Sequence, residues 1–230
     1  MFKVLVGCPT ADYKAYCLDK YIIAVKSLSY KNYDVLLVDN SHGDGYINKI
    51  KKHNINVLKC MEKGPIRARI VASRNMLREI MLEKGYDYFL SLEQDVIPPN
   101  DILERLLSHG RKIITAVYFT YNTRNNVTRL VPVLYAKSRK GDSYLRTFKP
   151  EEIEPERLVE VRACGLGCVL IHRDVLERVK FRYDKDYEAF DDIHFSNDAV
   201  SSNFRIFADT GIRCRHLIKG WNWLDVQEEV

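Results

Sequence analysis

Residues 88–103 read YFLSLEQDVIPPNDIL. Tyr88, Phe89, Leu90 and Leu92 favour a strand, which stops at Glu93-Gln94-Asp95 and is followed at once by Pro98-Pro99. On an extended segment, residues at i and i+2 point to the same side. Glu93 and Asp95 therefore present two hard oxygen donors together. That pattern suits Mg²⁺ or Mn²⁺, ions that bridge protein carboxylates to substrate phosphates. An acid pair at an arbitrary strand end is more often a solvated turn. The decision rests on where this strand sits in the fold.

The surrounding sequence alternates. FKVLVGC (2–8) reads as a strand, residues 12–29 carry helical spacing, and YDVLLVDN (33–40) is a second strand. GYINKIKKH (45–53) is a short helix and INVLKC (55–60) a third strand. Residues 66–84 form a long helix with Ile66, Ile70, Leu77, Ile80 and Met81 on one face. Residues 86–92 are a fourth strand, and a helix over 100–109 follows with Asn100 as its N-cap. Strands alternating with helices predict an α/β fold, a mostly parallel sheet covered on both faces.

The second half predicts strands at 112–120 and 131–138, polar loops at 121–129 and 138–157, and a smaller β element. Residues 158–179 read as a strand broken by Gly165 and Gly167 and leading into a helix. Neither an internal repeat nor a low-complexity linker divides the chain. It reads as a single domain, with residues 1–110 binding nucleotide and residues 111–230 binding acceptor.

Composition narrows the class. At 46% hydrophobic and 29% charged over 230 residues, the chain is an ordinary globular one. No apolar run approaches bilayer length, and the N-terminal run is too short for a signal peptide, so a cytoplasmic location is expected. The six cysteines contain no C-x-x-C pair, which argues against zinc knuckles and thioredoxin-like chemistry. A net charge of +5 suits an anionic substrate, or peripheral contact with an acidic membrane surface. No basic stripe interleaved with aromatics points to nucleic acid.

An open parallel sheet binds its ligand at the carboxyl ends of its strands. The residues that matter are then Gly7–Asp12, Asp39–Ser41 and Glu93–Asp95, Gln94 among them. The turn after the first strand, VGCPTADYK, has one glycine, and Pro9 lacks an amide donor. It is neither a dinucleotide fingerprint nor a Walker loop. A diphosphate bound here needs another counter-charge, and a metal held by Glu93 and Asp95 supplies one.

With these pieces in order, the chain resembles the GT-A fold glycosyltransferases, glycosyltransferase family 2 in particular. YDYFLSLEQDVIPPNDILERLL is similar to their strand, Asp-x-Asp-type motif and following helix, with Glu93 replacing the first Asp. VASRNML (71–77) is similar to the family's Ala-Arg-Asn segment, VLLVDNS (35–41) to its second strand, and GCPTADY to the end of its first. DDIHFSNDAVSSNFRIFADTGIRCRH matches the Glu-Asp helix, strand and late histidine. Asn203 stands where a glycine is usual. CGLGCVLIHRDVLERV is similar to the glycine-bearing segment before the acceptor helix.

The resemblance implies a metal-dependent transfer of sugar from a nucleotide-sugar donor, UDP- or GDP-linked, to a hydroxyl acceptor on a glycan, a lipid-linked sugar or a protein. It places Pro9, Thr10, Asp39, Ser41, Arg74 and Gln94 at the donor, with Arg67 two helical turns before Arg74. It makes Asp95 the main metal ligand, Glu93 a direct or water-mediated one and His216 the third; the imidazole favours Mn²⁺ over Mg²⁺. Asp192 is the candidate general base of an inverting reaction and Asp191 its orienting partner. Their bland reading is a pair of helix N-terminal acids. Gly165, Gly167 and Trp221 fall on the acceptor side, with Trp223 beside Trp221. Two other readings remain open at this stage. A sugar-nucleotide nucleotidyltransferase would need a Gly-rich, basic loop after the first strand, which is missing. A non-catalytic carbohydrate- or nucleotide-sugar-binding module should lack Asp95, Asp192 or His216, and all three are present.

Overall fold

The computed structural model describes residues 1–124, 126–138, 141–186 and 189–219. The first half is β1 (Val4–Thr10), a 3-10 turn (Asp12–Cys17), α1 (Leu18–Lys26), β2 (Tyr33–Asp39), α2 (Gly45–Lys51), β3 (Asn56–Lys59), α3 (Ile66–Glu83), β4 (Tyr88–Leu92), β5 (Val96–Ile97) and α4 (Ile102–Ser108). The second half begins with β6 (Ile113–Val117), β7 (Phe119–Arg124), β8 (Val127–Pro132), β9 (Leu134–Ser138), β10 (Gly141–Thr147) and α5 (Pro150–Ile153). It continues with β11 (Leu158–Val161), β12 (Ala163–Cys164), β13 (Cys168–His172), α6 (Arg173–Arg178), α7 (Asp191–Ser201), β14 (Ile206–Arg213) and β15 (Arg215–His216).

Eight strands form the central sheet in the order β11-β14-β6-β13-β4-β1-β2-β3. Pairing is parallel from β4 through β1 and β2 to β3, and again between β6 and β14. It is antiparallel on both sides of β13 and at the β11 edge. Parallel pairs are the majority, as expected. Burial follows from the two-residue strand period. Val4, Val6 and Cys8 of β1 enter one core with Leu18, Tyr21, Val25, Ile50 and Leu103, from α1, α2 and α4. Leu5 faces the other, with Leu77, Met81, Leu176 and Phe195, from α3, α6 and α7. Both faces are thus covered, and β1, β4 and β6 read as nearly continuous apolar runs for that reason. Among the described residues no helix is long and apolar enough to cross a membrane.

Several expectations change. The strand foreseen over 112–120 breaks at Tyr118 into β6 and β7. The foreseen loop over 121–129 carries a β7–β8 hairpin, with a cross-strand Thr123–Thr128 hydrogen bond of 2.8 Å. Residues 122–129 are polar apart from Val127, so no apolar alternation marked this stretch. The foreseen loop over 138–157 contains β10 and α5, and β9, β10 and β12 form a small separate sheet. Asn100 is not a cap: α4 starts after Asp101, and the Asn100 carbonyl instead accepts from the amide and hydroxyl of Ser29, at 2.9 and 3.0 Å. On α3, Ile66 is exposed, while Arg74 and Arg78 are buried beside Leu77 and Met81.

Two features place the site. β1 and β4 lie side by side at the sheet centre and end at the same edge. β15 then pairs with β5, setting His216 opposite Val96 and next to Asp95, whose carbonyl accepts from the Leu217 amide at 2.7 Å. The first depends on Gly7. A Cβ there would lie 2.2 Å from the Leu36 carbonyl oxygen on β2, a backbone atom that cannot give way. Gly7→Ala should lower the unfolding free energy measured by urea melts by about 2–3 kcal/mol. Gly43→Ala, with nothing within 4 Å of its added carbon, should stay within roughly 0.5 kcal/mol of the parent.

Candidate active site

The sheet's carboxyl edge opens into a cavity of about 270 Å³. Its wall includes Pro9 near the end of β1, Lys14 from the turn after it, Arg74 from α3, Glu93 after β4, and Asp191 and Asp192 at the start of α7. The Glu93 amide donates to Gly167 at 2.9 Å and its carbonyl accepts from Val96 at 2.9 Å, which folds the acidic segment into a tight turn before Pro98-Pro99.

Arg74 ties this wall together. Only 2% exposed, it donates from Nε to Asp191 at 2.5 Å, from Nη2 to Glu93 at 2.6 Å and from Nη1 to the Ser91 hydroxyl at 2.8 Å. Burial alone would weaken its hold on the proton, but the Asp191 and Glu93 charges prevail and raise it. Three elements, α3, β4 and α7, are thereby joined through one guanidinium. Arg67 points elsewhere: its guanidinium lies 3.4 Å from the carbonyls of Asp184 and Ala189.

Asp95 is the second centre. Lys14 and His216 both address its Oδ2, His216 Nε2 at 3.4 Å, and Lys14 in direct contact. The Tyr16 hydroxyl lies 3.4 Å from the same oxygen. Oδ1 is buried without a hydrogen-bond partner. The burial of Asp95 favours its neutral form, yet the hydrogen bond with His216 and the Lys14 charge outweigh this and hold its pKa at about 2. His216 Nδ1 lies 2.7 Å from the Phe119 carbonyl, which can only accept, so Nδ1 carries a proton and Nε2 is aimed at Asp95. Burial opposes protonation of His216, but Asp95 raises its pKa above the usual range.

This donor set fits a divalent cation: an ionised carboxylate with an unpartnered oxygen, and an imidazole whose other nitrogen is fixed by a carbonyl. The expected trio of ligands does not converge. Glu93 is turned to Arg74, and among the described residues no three His, Cys, Asp or Glu side chains gather at metal spacing.

Asp191 and Asp192 are neighbours with different surroundings. Asp191 is held by Arg74. For Asp192, burial and the Asp191 charge raise the pKa from 3.8 to about 6, against a 2.7 Å bond from the Ile193 amide. One acid is locked as a carboxylate partner. The other is poised to exchange a proton near neutral pH.

The remaining expected residues divide. Thr10 donates to Gln94, which also accepts from Tyr46 at 2.9 Å and donates to the Lys14 carbonyl at 2.7 Å. Gln94 reaches the cavity wall, while Thr10 is buried behind it. Asp39 is fully buried, accepting from Ser41 at 2.5 and 3.0 Å and from Lys59 at 2.9 Å. Its neighbour Asn40 lines the cavity instead. Gly165 and Gly167 serve Tyr118: an added Cβ would meet its hydroxyl oxygen at 2.0 and 2.7 Å, and the Gly167 amide donates to that oxygen at 3.0 Å. Tyr118 in turn meets the His216 ring edge-on, with centroids 5.5 Å apart. Trp221 and Trp223 lie outside the described residues.

Sequence reasoning placed Asn40 within the Asp39–Ser41 strand end but did not single out Lys14 and Tyr118. Of these two, Lys14 carried a signal, as the one cation in the turn after β1, where open sheets bind ligands.

No protein-family model matches the sequence, and no curated protein does. Solved structures do resemble it. GalNAc-T7 with UDP, GalNAc and Mn²⁺ superposes with a TM-score of 0.65 at 11% identity, over 99% of this chain and 48% of that one. The mannosyltransferase PcManGT from Pyrobaculum calidifontis, in complex with GDP-Man and Mn²⁺, gives 0.64 at 12% identity over 96% and 59%. A197 from STIV gives 0.53 at 17% identity over 94% and 86%.

The chain has a GT-A fold. It spans about half of the GalNAc-T7 chain and just under two thirds of PcManGT. Within this GT-A frame, the polar groups of the cavity come from α3, α7, the turns after β1, β2 and β4, and Tyr118 between β6 and β7.

The Asp192 environment has a measurable consequence. Its folded pKa lies above its unfolded one, so folding is favoured in acid and that contribution is lost as pH rises through about 6. Asp192→Asn removes the penalty. At pH 8 the variant should be more stable than the parent by roughly 1–3 kcal/mol, and the gap should close below pH 4. Urea melts at the two pH values measure it.

Proposed function

We propose that this chain transfers a sugar from a nucleoside-diphosphate donor to a hydroxyl acceptor, with Mn²⁺ or Mg²⁺ held by Asp95 and His216. The supporting observation is the arrangement at the sheet's carboxyl edge: Asp95 faces Lys14 and His216 with one oxygen unpartnered, and Asp192 stands on the adjoining cavity wall beside the Arg74-held Asp191. The pairing of UDP or GDP-Man with Mn²⁺ in the two GT-A neighbours supports the donor class and favours Mn²⁺.

In this reading, the bound cation stabilises the charge that grows on the departing diphosphate. Arg74 does not bind that charge alone, because Glu93 and Asp191 already neutralise it. Its task is to hold Asp191, and with it the first turn of α7, so that Asp192 stays at the cavity wall. Asp192 Oδ then accepts the proton of the acceptor hydroxyl as that oxygen attacks the anomeric carbon. A base opposite the leaving group inverts the anomeric configuration.

A screen of UDP- and GDP-sugars for transfer or hydrolysis, with and without Mn²⁺, tests this. Asp95→Ala should lose metal-dependent nucleotide binding. Asp192→Asn should bind the donor as the parent does and lose transfer by about 10²–10⁴-fold. In the parent, kcat/KM should rise with pH through about 6, as Asp192 ionises. NMR of the product should show an inverted anomeric centre; a retained one removes Asp192 from the base role.

A further inference from the structure

The cavity has more acids than bases. Glu93, Asp191 and Asp192 line it, against one guanidinium, Arg74, and one ammonium, Lys14, which pairs with a fourth acid, Asp95, just behind the wall. Arg74 is committed to two of the acids. A diphosphate entering such a site meets net repulsion until positive charge is added. Lys14 is at present spent on Asp95 Oδ2, the oxygen that His216 Nε2 also addresses.

We propose that Lys14 is a resident counter-ion of Asp95 which an incoming divalent cation displaces, and that its freed ammonium then binds the donor diphosphate. This rests on the reading of Asp95 and His216 as the cation site. A divalent ion and an ammonium on the same carboxylate repel each other strongly in a buried setting, so both cannot stay. The geometry allows an exchange without backbone movement. The Lys14 amide donates to Ala11 at 2.9 Å and its carbonyl accepts from Gln94 at 2.7 Å, which pins the main chain. Its side chain is 20% exposed, lines the cavity and sits on a flexible stem. Metal and donor binding are thereby linked: the metal loses affinity to Lys14 when it binds alone, and gains it back when a diphosphate receives the ammonium.

The test measures binding rather than turnover. Mn²⁺ is titrated by EPR into the parent and into Lys14→Met, Lys14→Arg and Asp95→Asn without nucleotide; UDP and GDP are then titrated at saturating Mn²⁺. Lys14→Met should bind Mn²⁺ about tenfold more tightly than the parent and nucleoside diphosphate about tenfold more weakly. Lys14→Arg, which keeps the charge, should behave as the parent in both, and Asp95→Asn should lose Mn²⁺. If Lys14→Met binds Mn²⁺ no better than the parent while Asp95→Asn loses it, the displacement is wrong and the metal site stands. Unchanged nucleotide affinity in Lys14→Met overturns the transfer of the ammonium to the diphosphate. If Asp95→Asn binds Mn²⁺ as the parent does, the metal site itself is wrong and the proposal falls with it. Should Lys14→Met not fold, Lys14→Gln carries the same expectations.

Discussion

The buried guanidinium of Arg74 is the interaction on which the site depends. It sits between Asp191 and Glu93 with a third bond to Ser91, so that α3, α7 and the end of β4 meet at one charge. A buried ion is tolerated only where partners satisfy it, and removing one partner of such a group typically costs about 3–5 kcal/mol. Because both acids are satisfied by Arg74, Asp192 is left as the neighbour with no such partner. The same charge that orders the wall therefore separates two adjacent aspartates into different protonation regimes.

A second constraint comes from the strand pairing at the edge. β15 adds to β5 just beyond the acidic turn and delivers His216 to Asp95. Tyr118 backs the imidazole, and Gly165 and Gly167 leave the space that Tyr118 fills. Beneath the turn, Thr10, Tyr46 and Gln94 form a buried polar bracket whose last bond fixes the Lys14 carbonyl. Asp95 with His216, and Asp192 with Asp191, are thus held by separate networks.

Much of this was legible in the residues. Buried strands ending in polar groups announced the sheet and its ligand edge, and the Glu93–Asp95 segment lies at that edge. What escaped has physical reasons. The outer part of the β7–β8 hairpin, residues 122–129, is polar apart from Val127, so its period is invisible. Arg74 and Arg78 occupy the buried face of α3, where apolar residues were expected. Thr10, Asp39 and Ser41 sit at strand ends as foreseen, but their polar atoms are used in packing the edge rather than in lining the cavity. Glu93 followed the motif yet turned to a guanidinium that only the fold could bring beside it. Lys14 gains its meaning from a contact 81 positions away in sequence.

The central claim is that this edge of the GT-A sheet binds a divalent cation together with a nucleoside diphosphate. Crystals grown with Mn²⁺ and UDP or GDP, with diffraction recorded at the manganese absorption edge, test it most directly. The account predicts an anomalous peak bonded to Asp95 and His216, with diphosphate density in the adjoining cavity. A manganese peak elsewhere, or nucleotide bound away from the ends of β1 and β4, would contradict it.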